Sequence, residues 1–208
     1  MSLFSFLTRM LFPLRCIHCG RFDIYLCRTC EPFLFTPGNI AQPRPLIRKL
    51  FWVGSYKNPF LQQLIHDGKY SGIPSAFTSA CRILFSVIRR ANYDFIIPIP
   101  LHRRRLRERG FNQAEIIARF LSQDLHIPFA HDYLIRTRYT RQQVKLSYEQ
   151  RQQNVADAFL LVQPLPAAVR SILLVDDVWT TGATMHAAAQ ALRQNKKFAL
   201  TAAVIAKD

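Results

Sequence analysis

The chain has 208 residues, half of them apolar, which is enough for a folded core and excludes a largely disordered protein. Lysine and arginine outnumber aspartate and glutamate by 28 to 13, giving a formal net charge of +15. This excess favours polyanionic partners, namely nucleic acid, phosphorylated ligands or an anionic membrane surface. The length allows one medium domain with a small appendage, or two small domains.

The first residues, MSLFSFLTRMLFPL, are apolar but too few to span a bilayer, and no basic region precedes them as it would in a secretory signal. We expect an amphipathic helix packed on the body of the protein, with an interfacial membrane anchor as the alternative. Because no export signal is visible, we expect a cytoplasmic protein with reduced thiols.

Four of the five cysteines follow in the spacing C-x2-C, seven residues, C-x2-C. Each C-x2-C pair can place two thiolates on one tetrahedral ion, so the pattern predicts a compact structural Zn²⁺ site with a role in folding. Disulfides and free thiols are the alternatives. We expect His18 to be a spectator rather than a ligand, and Cys81 to pack as a small apolar residue in a helix. The predicted zinc ligands are Cys16, Cys19, Cys27 and Cys30.

A proline-rich polar stretch, residues 36–45, predicts a linker. It divides the chain into residues 1–45, with the N-terminal helix, the finger and the linker, and residues 46–208. Within the second part we expect a hood-like helical portion over 46–91 and a core sheet over 92–208.

The hood-like portion contains one predicted strand and two predicted helices. Residues 50–56 are aromatic and β-branched, which favours a strand. Apolar residues at helical spacing over 58–72 predict a helix that Asn58 caps and Gly68 ends. Residues 75–90 predict a second amphipathic helix.

Beyond residue 92, apolar strand-like runs alternate with helical patterns. This alternation predicts an α/β fold in which helices cover both faces of a parallel sheet. Ligands of such sheets bind at the carboxyl ends of the strands. The predicted strands are FIIPIP, YLIR, SILLVDD and FALTAAVIAK, and the predicted helices are NQAEIIARFLSQDL and TMHAAAQALRQ.

Two adjacent carboxylates, Asp176 and Asp177, end the third of these strands, and a threonine-glycine loop follows at the start of a helix. A helix N-terminus with free N–H groups and hydroxyls favours a phosphate, and the glycine lets the backbone approach it. The carboxylates can accept hydrogen bonds from ribose hydroxyls or hold the water shell of Mg²⁺. The loop residues are Thr180, Thr181, Gly182, Ala183 and Thr184; Trp179 before them would either stack on a ligand or cover the loop.

A basic loop is predicted over residues 102–109, after the first strand. Arginine pairs bidentately with phosphate oxygens, so the loop suits pyrophosphate or a nucleic-acid backbone, unless it is merely solvated. The candidates that open it are His102, Arg103, Arg104 and Arg105. Asn112 is expected to cap the next helix.

A second basic stretch, residues 136–154, has few apolar anchors and predicts an exposed, mobile loop. Such a loop would close over a reacting centre, grip single-stranded nucleic acid through arginine and tyrosine, or simply be solvated. Its candidate residues are Arg136, Arg138, Arg141 and Lys145.

The stretch ILLVDDVWTTGAT closely resembles the phosphoribosyl-pyrophosphate signature of type I phosphoribosyltransferases. The resemblance implies a type I phosphoribosyltransferase-like sheet in which Asp176 and Asp177, the candidate catalytic residues, contact ribose hydroxyls. It also implies that residues 180–184 hold the 5′-phosphate and that phosphoribosyl pyrophosphate binds with Mg²⁺.

The cysteine finger, LIHDGKYSG, IPIPLHRRRLRERGFNQAE, RTRYTRQQ and LLVDDVWTTGAT together resemble the ComF family, also called ComFC or GntX-like, over nearly the whole chain. The resemblance implies a role in natural transformation, in handling incoming single-stranded DNA beneath the inner membrane. It implies a ComFA-type helicase and DNA-processing proteins as partners. Two hypotheses stay open: a DNA-handling protein that retains a phosphoribosyl site, and a phosphoribosyltransferase with an unknown acceptor.

Overall fold

The computed structural model describes residues 14–70, 76–139, 157–193 and 197–208. The predicted N-terminal helix and two residues of the predicted mobile loop, Arg141 and Lys145, lie outside these ranges. The elements in chain order are α1 (Glu31–Leu34), β1 (Gly38–Arg44), β2 (Ile47–Ser55), α2 (Pro59–Tyr70), α3 (Ala76–Ile88), β3 (Phe95–Pro98), α4 (Arg103–Arg109), α5 (Gln113–Leu125), β4 (Leu134–Arg136), β5 (Phe159–Leu161), β6 (Ser171–Trp179), α6 (Ala183–Arg193) and β7 (Ala199–Lys207).

Within the described residues the central sheet has the strand order β1-β2-β7-β6-β3. The edge strand β1 runs antiparallel to β2, and the other neighbours are parallel. Alternate residues of β6 face opposite sides: Leu173 and Val175 pack with α2, α3 and α5, whereas Ile172 and Leu174 pack with α6 and the β4–β5 pair. The predicted α/β sheet with helices on both faces is therefore confirmed.

The prediction of a linker over residues 36–45 is wrong, because Gly38–Arg44 forms strand β1. Proline is tolerated at a sheet edge, where no neighbour needs its missing N–H. The register shifts between Ala41 and Arg44, around Pro43, and Gln42 adopts a left-handed φ of 48°. The proposed division between residues 45 and 46 stays a prediction.

Helix α2 begins as expected, since the Asn58 side chain accepts hydrogen bonds from the Phe60 and Leu61 backbones at 3.0 and 3.3 Å. The prediction that Gly68 ends it is wrong, because the helix continues to Tyr70. An added Cβ at Gly68 would lie 2.3 Å from the buried Phe77 ring. The glycine therefore lets α2 and α3 approach closely.

The predicted basic loop is largely a short helix, α4. The His102 ring accepts a hydrogen bond from the Arg104 N–H at 3.2 Å, and Gly110 ends the helix at a φ of 78°. Asn112 caps α5, as expected, by accepting from the Ala114 N–H at 3.1 Å. Sequence reasoning missed α4 because it has no buried residue and hence no apolar periodicity.

Strand β6 extends further than its neighbour β3, and this difference opens a notch in the sheet. The Ile99 N–H donates to the Val175 carbonyl at 2.8 Å, and beyond that point β3 leaves the sheet. β6 continues beside β7 through Asp176 to Trp179. No helix in the described part of the chain has the length and apolar character needed to cross a membrane.

Candidate functional site

A cavity of about 450 Å³ occupies the notch at the carboxyl ends of β3 and β6. Its floor contains Asp176 and Asp177, its rim contains the loop before α6, and basic side chains of α2, α4 and β4 form the walls. This is the edge at which parallel α/β sheets bind ligands. One cavity thus combines an acidic floor with cationic walls.

The two carboxylates of the acidic pair interact with each other and with nearby positive charges. The Asp177 carboxylate forms an ion pair with Lys69 Nζ at 2.7 Å, and the backbone N–H of Asp177 donates a hydrogen bond to the Asp176 carboxylate at 2.9 Å. Burial, followed by the charge of Asp177, raises the pKa of Asp176 to about 7, against the opposing charges of Lys69 and Arg136. Asp176 is half-buried and lines the cavity. These oxygens are the kind that Mg²⁺ prefers, and a divalent cation would relieve their repulsion.

The loop before α6 is shaped by a glycine and a tryptophan. Gly182 has a φ of 73°, and an added Cβ there would lie 2.2 Å from the Trp179 ring. Trp179 is only 5% exposed, so its contact with Gly182 favours covering the loop over stacking on a ligand. Thr181 Oγ1 accepts from the Ala183 N–H at 3.3 Å and acts as a cap. The residues of this loop that line the cavity are Thr180, Gly182, Ala183 and Thr184.

The edge strand β1 holds the same loop from outside. Arg44 Nε donates to the Thr181 carbonyl at 3.0 Å, and Arg44 Nη2 contacts the same oxygen. The Thr181 carbonyl thus accepts hydrogen bonds from a charged guanidinium group, and such charge-assisted bonds are stronger than those between neutral groups. The segment predicted to be a linker therefore helps to fix the threonine loop.

Helix α4 divides its arginines between two surfaces. Arg105 and Arg109, one turn apart, line the cavity, whereas Arg103 and Arg104 are exposed and do not. Arg136 of β4 joins the cavity wall. Burial, then the charge of Arg105, lowers the pKa of Arg136 to about 10, with Asp176 opposing the shift.

An exposed tyrosine lies against the outer side of α4. Tyr139 is 44% exposed, and the guanidinium groups of Arg104 and Arg105 lie 4.8 and 5.8 Å from its ring centroid. The His102 ring meets it edge-on at 5.3 Å. Arg138 is exposed nearby in sequence and is not part of the cavity wall. A basic and aromatic surface thus adjoins the cavity.

The four predicted zinc ligands are brought together. Their Sγ atoms all lie within 4.8 Å of one another, and those of Cys19 and Cys27 are 3.7 Å apart. Zn–S bonds of about 2.3 Å place two sulfurs of a tetrahedron about 3.8 Å apart, so the set fits a zinc ion. Burial opposes ionisation of Cys16, but hydrogen bonds around Cys19, Cys27 and His18 lower its pKa to about 6.

The cysteine module packs on the body of the protein. Tyr25 Oη donates to Asp67 at 2.7 Å, and Arg82 pairs with Glu31 at 2.8 Å. The His18 ring stacks on Phe33 instead of joining the sulfurs, as expected for a spectator. Cys81 is buried in α3, as predicted.

Sequence reasoning missed Lys69 and Arg44, and it included Arg109 in the predicted basic loop without naming it as a candidate. Lys69 and Arg109 belong to stretches quoted for the ComF resemblance, so their motifs were visible although their roles were not. Arg44 gave no signal, because its contact with Thr181 joins residues 137 positions apart.

The fold and site thus define an α/β protein with a four-cysteine module and a charged cavity at the strand ends. No protein-family model matches the chain. It is 33% identical over 187 residues to Competence protein F of Haemophilus influenzae, covering 86% of this chain and 78% of that protein. It is 35% identical over 191 residues to DNA utilization protein YhgH of Escherichia coli O157:H7, covering 86% and 83%.

Competence protein ComFC of Bacillus subtilis is 31% identical over 189 residues, with 88% of this chain and 73% of that protein covered. These relatives match most of the chain at 30% identity or more. The chain belongs to the ComF family.

Proposed function

We propose that this protein serves natural transformation by handling incoming single-stranded DNA, and that its cavity is a site for Mg²⁺ and phosphoribosyl pyrophosphate or a nucleotide phosphate. The competence and DNA-utilization names of its relatives support the role in transformation. The observation that carries the proposal is the division of the α4 arginines between an enclosed cavity and an exposed basic and aromatic surface.

The exposed surface suits single-stranded DNA. Arg103 and Arg104 supply charge for phosphates, and Tyr139 supplies an aromatic ring for a base. Stacking of a base on an aromatic side chain contributes roughly 1–3 kcal/mol and tolerates any sequence. Arg138, next to Tyr139, would extend the charge, and Arg141 and Lys145 are proposed to continue it beyond the described residues.

Fluorescence anisotropy with labelled oligothymidine over a range of salt concentrations tests this role. Each phosphate contact contributes a slope of about −0.7 in log affinity against log salt. The Arg103→Ala, Arg104→Ala double variant should flatten the slope by up to about 1.4. Tyr139→Ala should weaken binding at an unchanged slope, because stacking releases no counterions.

The matched control replaces Arg89 and Arg90. These two exposed arginines precede the amino end of β3, whereas the cavity lies at its carboxyl end. Their replacement by alanine should change neither affinity nor slope much. Equal effects of the two double variants would show that only net charge matters and would refute the proposed surface.

The cavity suits a phosphorylated sugar. We assign the 5′-phosphate to the threonine loop, residues 180–184, at the N-terminus of α6, where the helix dipole favours an anion. We assign the ribose hydroxyls and the water shell of Mg²⁺ to Asp176 and Asp177. The cavity arginines Arg105 and Arg136 would pair with the pyrophosphate.

A second candidate function is a phosphoribosyltransferase. The observation that favours it is the placement of cationic walls opposite the acidic pair in one cavity, an arrangement that would bind a leaving pyrophosphate. The residues would act by positioning and by charge stabilisation, without a protein base. In a phosphoribosyltransferase the catalytic residues would be Asp176 and Asp177.

Phosphorus NMR of phosphoribosyl pyrophosphate with Mg²⁺ and a panel of bases separates the two functions. Base-dependent release of pyrophosphate would establish the enzyme. Line broadening of an intact ligand, lost in the Asp176→Asn, Asp177→Asn variant, would establish a binding site without transfer. Identical spectra with wild type and this variant would refute the assigned site.

The cysteine module has a structural role in this proposal. Cys16, Cys19, Cys27 and Cys30 would hold Zn²⁺ in a closed site that favours folding. We place the protein in the cytoplasm, at the inner face of the inner membrane, where a ComFA-type helicase and DNA-processing proteins would be its partners. Co-purification of such a helicase with the tagged protein, but not with tagged protein from which a chelator has removed the metal, would support this partnership.

A further inference from the structure

A lysine outside the phosphate-binding motifs holds one half of the acidic pair. Lys69 Nζ lies 2.7 Å from Asp177 Oδ2, and their side chains are only 19% and 13% exposed. Exposed ion pairs contribute little and form incidentally, but this one is enclosed in the cavity. The ammonium group therefore occupies the space in front of a carboxylate that the proposed function assigns to a metal and a sugar.

The backbone of this lysine is fixed by packing on two sides. Asp67, two residues before it, accepts a hydrogen bond from the buried Tyr25 of the cysteine module at 2.7 Å. Gly68, the residue directly before it, lies so close to Phe77 that no Cβ fits between them. These contacts hold α2 beside the cavity, so a change of partner by Lys69 needs only its flexible side chain to move.

The ammonium group of Lys69 and a divalent cation compete for Asp177. Both are positive and both are attracted to the same carboxylate, so the binding of one disfavours the other. An ammonium group released from Asp177 would lie in a cavity with anionic ligand present, and lysine is a common phosphate partner. The opposite wall already provides Arg105 and Arg109 for the same ligand.

We propose that Lys69 is an exchangeable cation of this site. Without ligand it neutralises Asp177, and when a divalent cation takes that carboxylate, Lys69 moves to a phosphate of the anionic ligand. This inference rests on the proposed function of the cavity. It makes Lys69 a competitor of the metal and a partner of the phosphate.

Two probes used separately test the exchange: Mn²⁺ alone, followed by electron paramagnetic resonance, and pyrophosphate at saturating Mg²⁺, followed by calorimetry. Lys69→Met should bind Mn²⁺ at least about fivefold more tightly, because the competitor is gone. It should bind pyrophosphate about tenfold more weakly, because a cationic partner is gone. Lys69→Arg should retain pyrophosphate binding.

The matched control is Lys57→Met, which removes an exposed lysine just before α2. It should leave both affinities within about twofold of wild type. Lys69→Gln serves as a second neutral variant if the methionine variant does not fold, as judged by circular dichroism.

Opposite shifts of the two affinities in the neutral variants would support the exchange. Shifts in the same direction, or none, would overturn it, while Mn²⁺ binding that Asp177→Asn abolishes would leave the proposed site intact. If neither probe binds wild type or any variant, the proposed function of the cavity fails together with this inference.

Discussion

The raised pKa of Asp176 predicts that cation binding in the cavity depends on pH near neutrality. A divalent cation needs this carboxylate ionised, and burial together with the charge of Asp177 holds its pKa at about 7. The Asp176 carboxylate would be ionised in about one tenth of the molecules at pH 6 and in about nine tenths at pH 8. We therefore expect Mn²⁺ to bind about tenfold more weakly at pH 6 than at pH 8.

The same shift has a consequence for folding. In the unfolded chain Asp176 ionises near its ordinary value, whereas the folded state keeps the proton until about pH 7. The folded state binds more protons over this interval, so the contribution of Asp176 to stability is full below pH 4 and is lost as pH rises to 7. Mn²⁺ opposes this loss, and should raise the thermal midpoint more at pH 8 than at pH 6.

Calorimetric titration of Mn²⁺ at pH 6, 7 and 8 measures the effect, and two buffers of different ionisation enthalpy report the proton released. Asp176→Asn should abolish the pH dependence together with most of the affinity. His66 also lines the cavity, so His66→Gln is the control and should keep the dependence. An affinity that is flat from pH 6 to 8, or a dependence that vanishes only in His66→Gln, would refute the reasoning.

Three further predictions concern packing, the threonine loop and zinc. Gly68→Ala should destabilise the protein by about 1–2 kcal/mol in denaturant unfolding, since overpacking against Phe77 exceeds the gain in helix propensity. Arg44→Met should weaken ribose 5-phosphate binding severalfold by loosening Thr181, whereas the exposed control Arg48→Met should not. Chelation of metal from freshly purified protein should release zinc and lower the thermal midpoint; an unchanged midpoint would exclude a structural zinc.

Short-range signals in the sequence determined much of the architecture. The C-x2-C pairs predicted which sulfurs cluster, because each pair is local and only two knuckles had to meet. The alternation of apolar strands and amphipathic helices predicted the parallel sheet, and Asn58 and Asn112 were recognisable caps. The acidic pair and the threonine loop were likewise visible because strand, turn and helix are contiguous there.

The tertiary structure decided which residues share the cavity. Composition favoured a linker over 36–45, yet pairing with β2 makes a strand of it and brings Arg44 to Thr181. A glycine in α2 suggested a helix end, yet close packing on Phe77 explains it. Both differences arise because neighbours distant in the chain outweigh local propensity.

The run of arginines after β3 shows most clearly what the sequence alone could not predict. The sequence determined their charge, but not that they form a helix, since a helix without a buried face leaves no apolar period. Only the folded chain brings Arg105 and Arg109 into the wall of the cavity and leaves Arg103 and Arg104 exposed. Likewise, Lys69 reaches Asp177 because α2 packs beside the carboxyl end of β6, a contact between residues 108 positions apart, from 69 to 177, that no local pattern encodes.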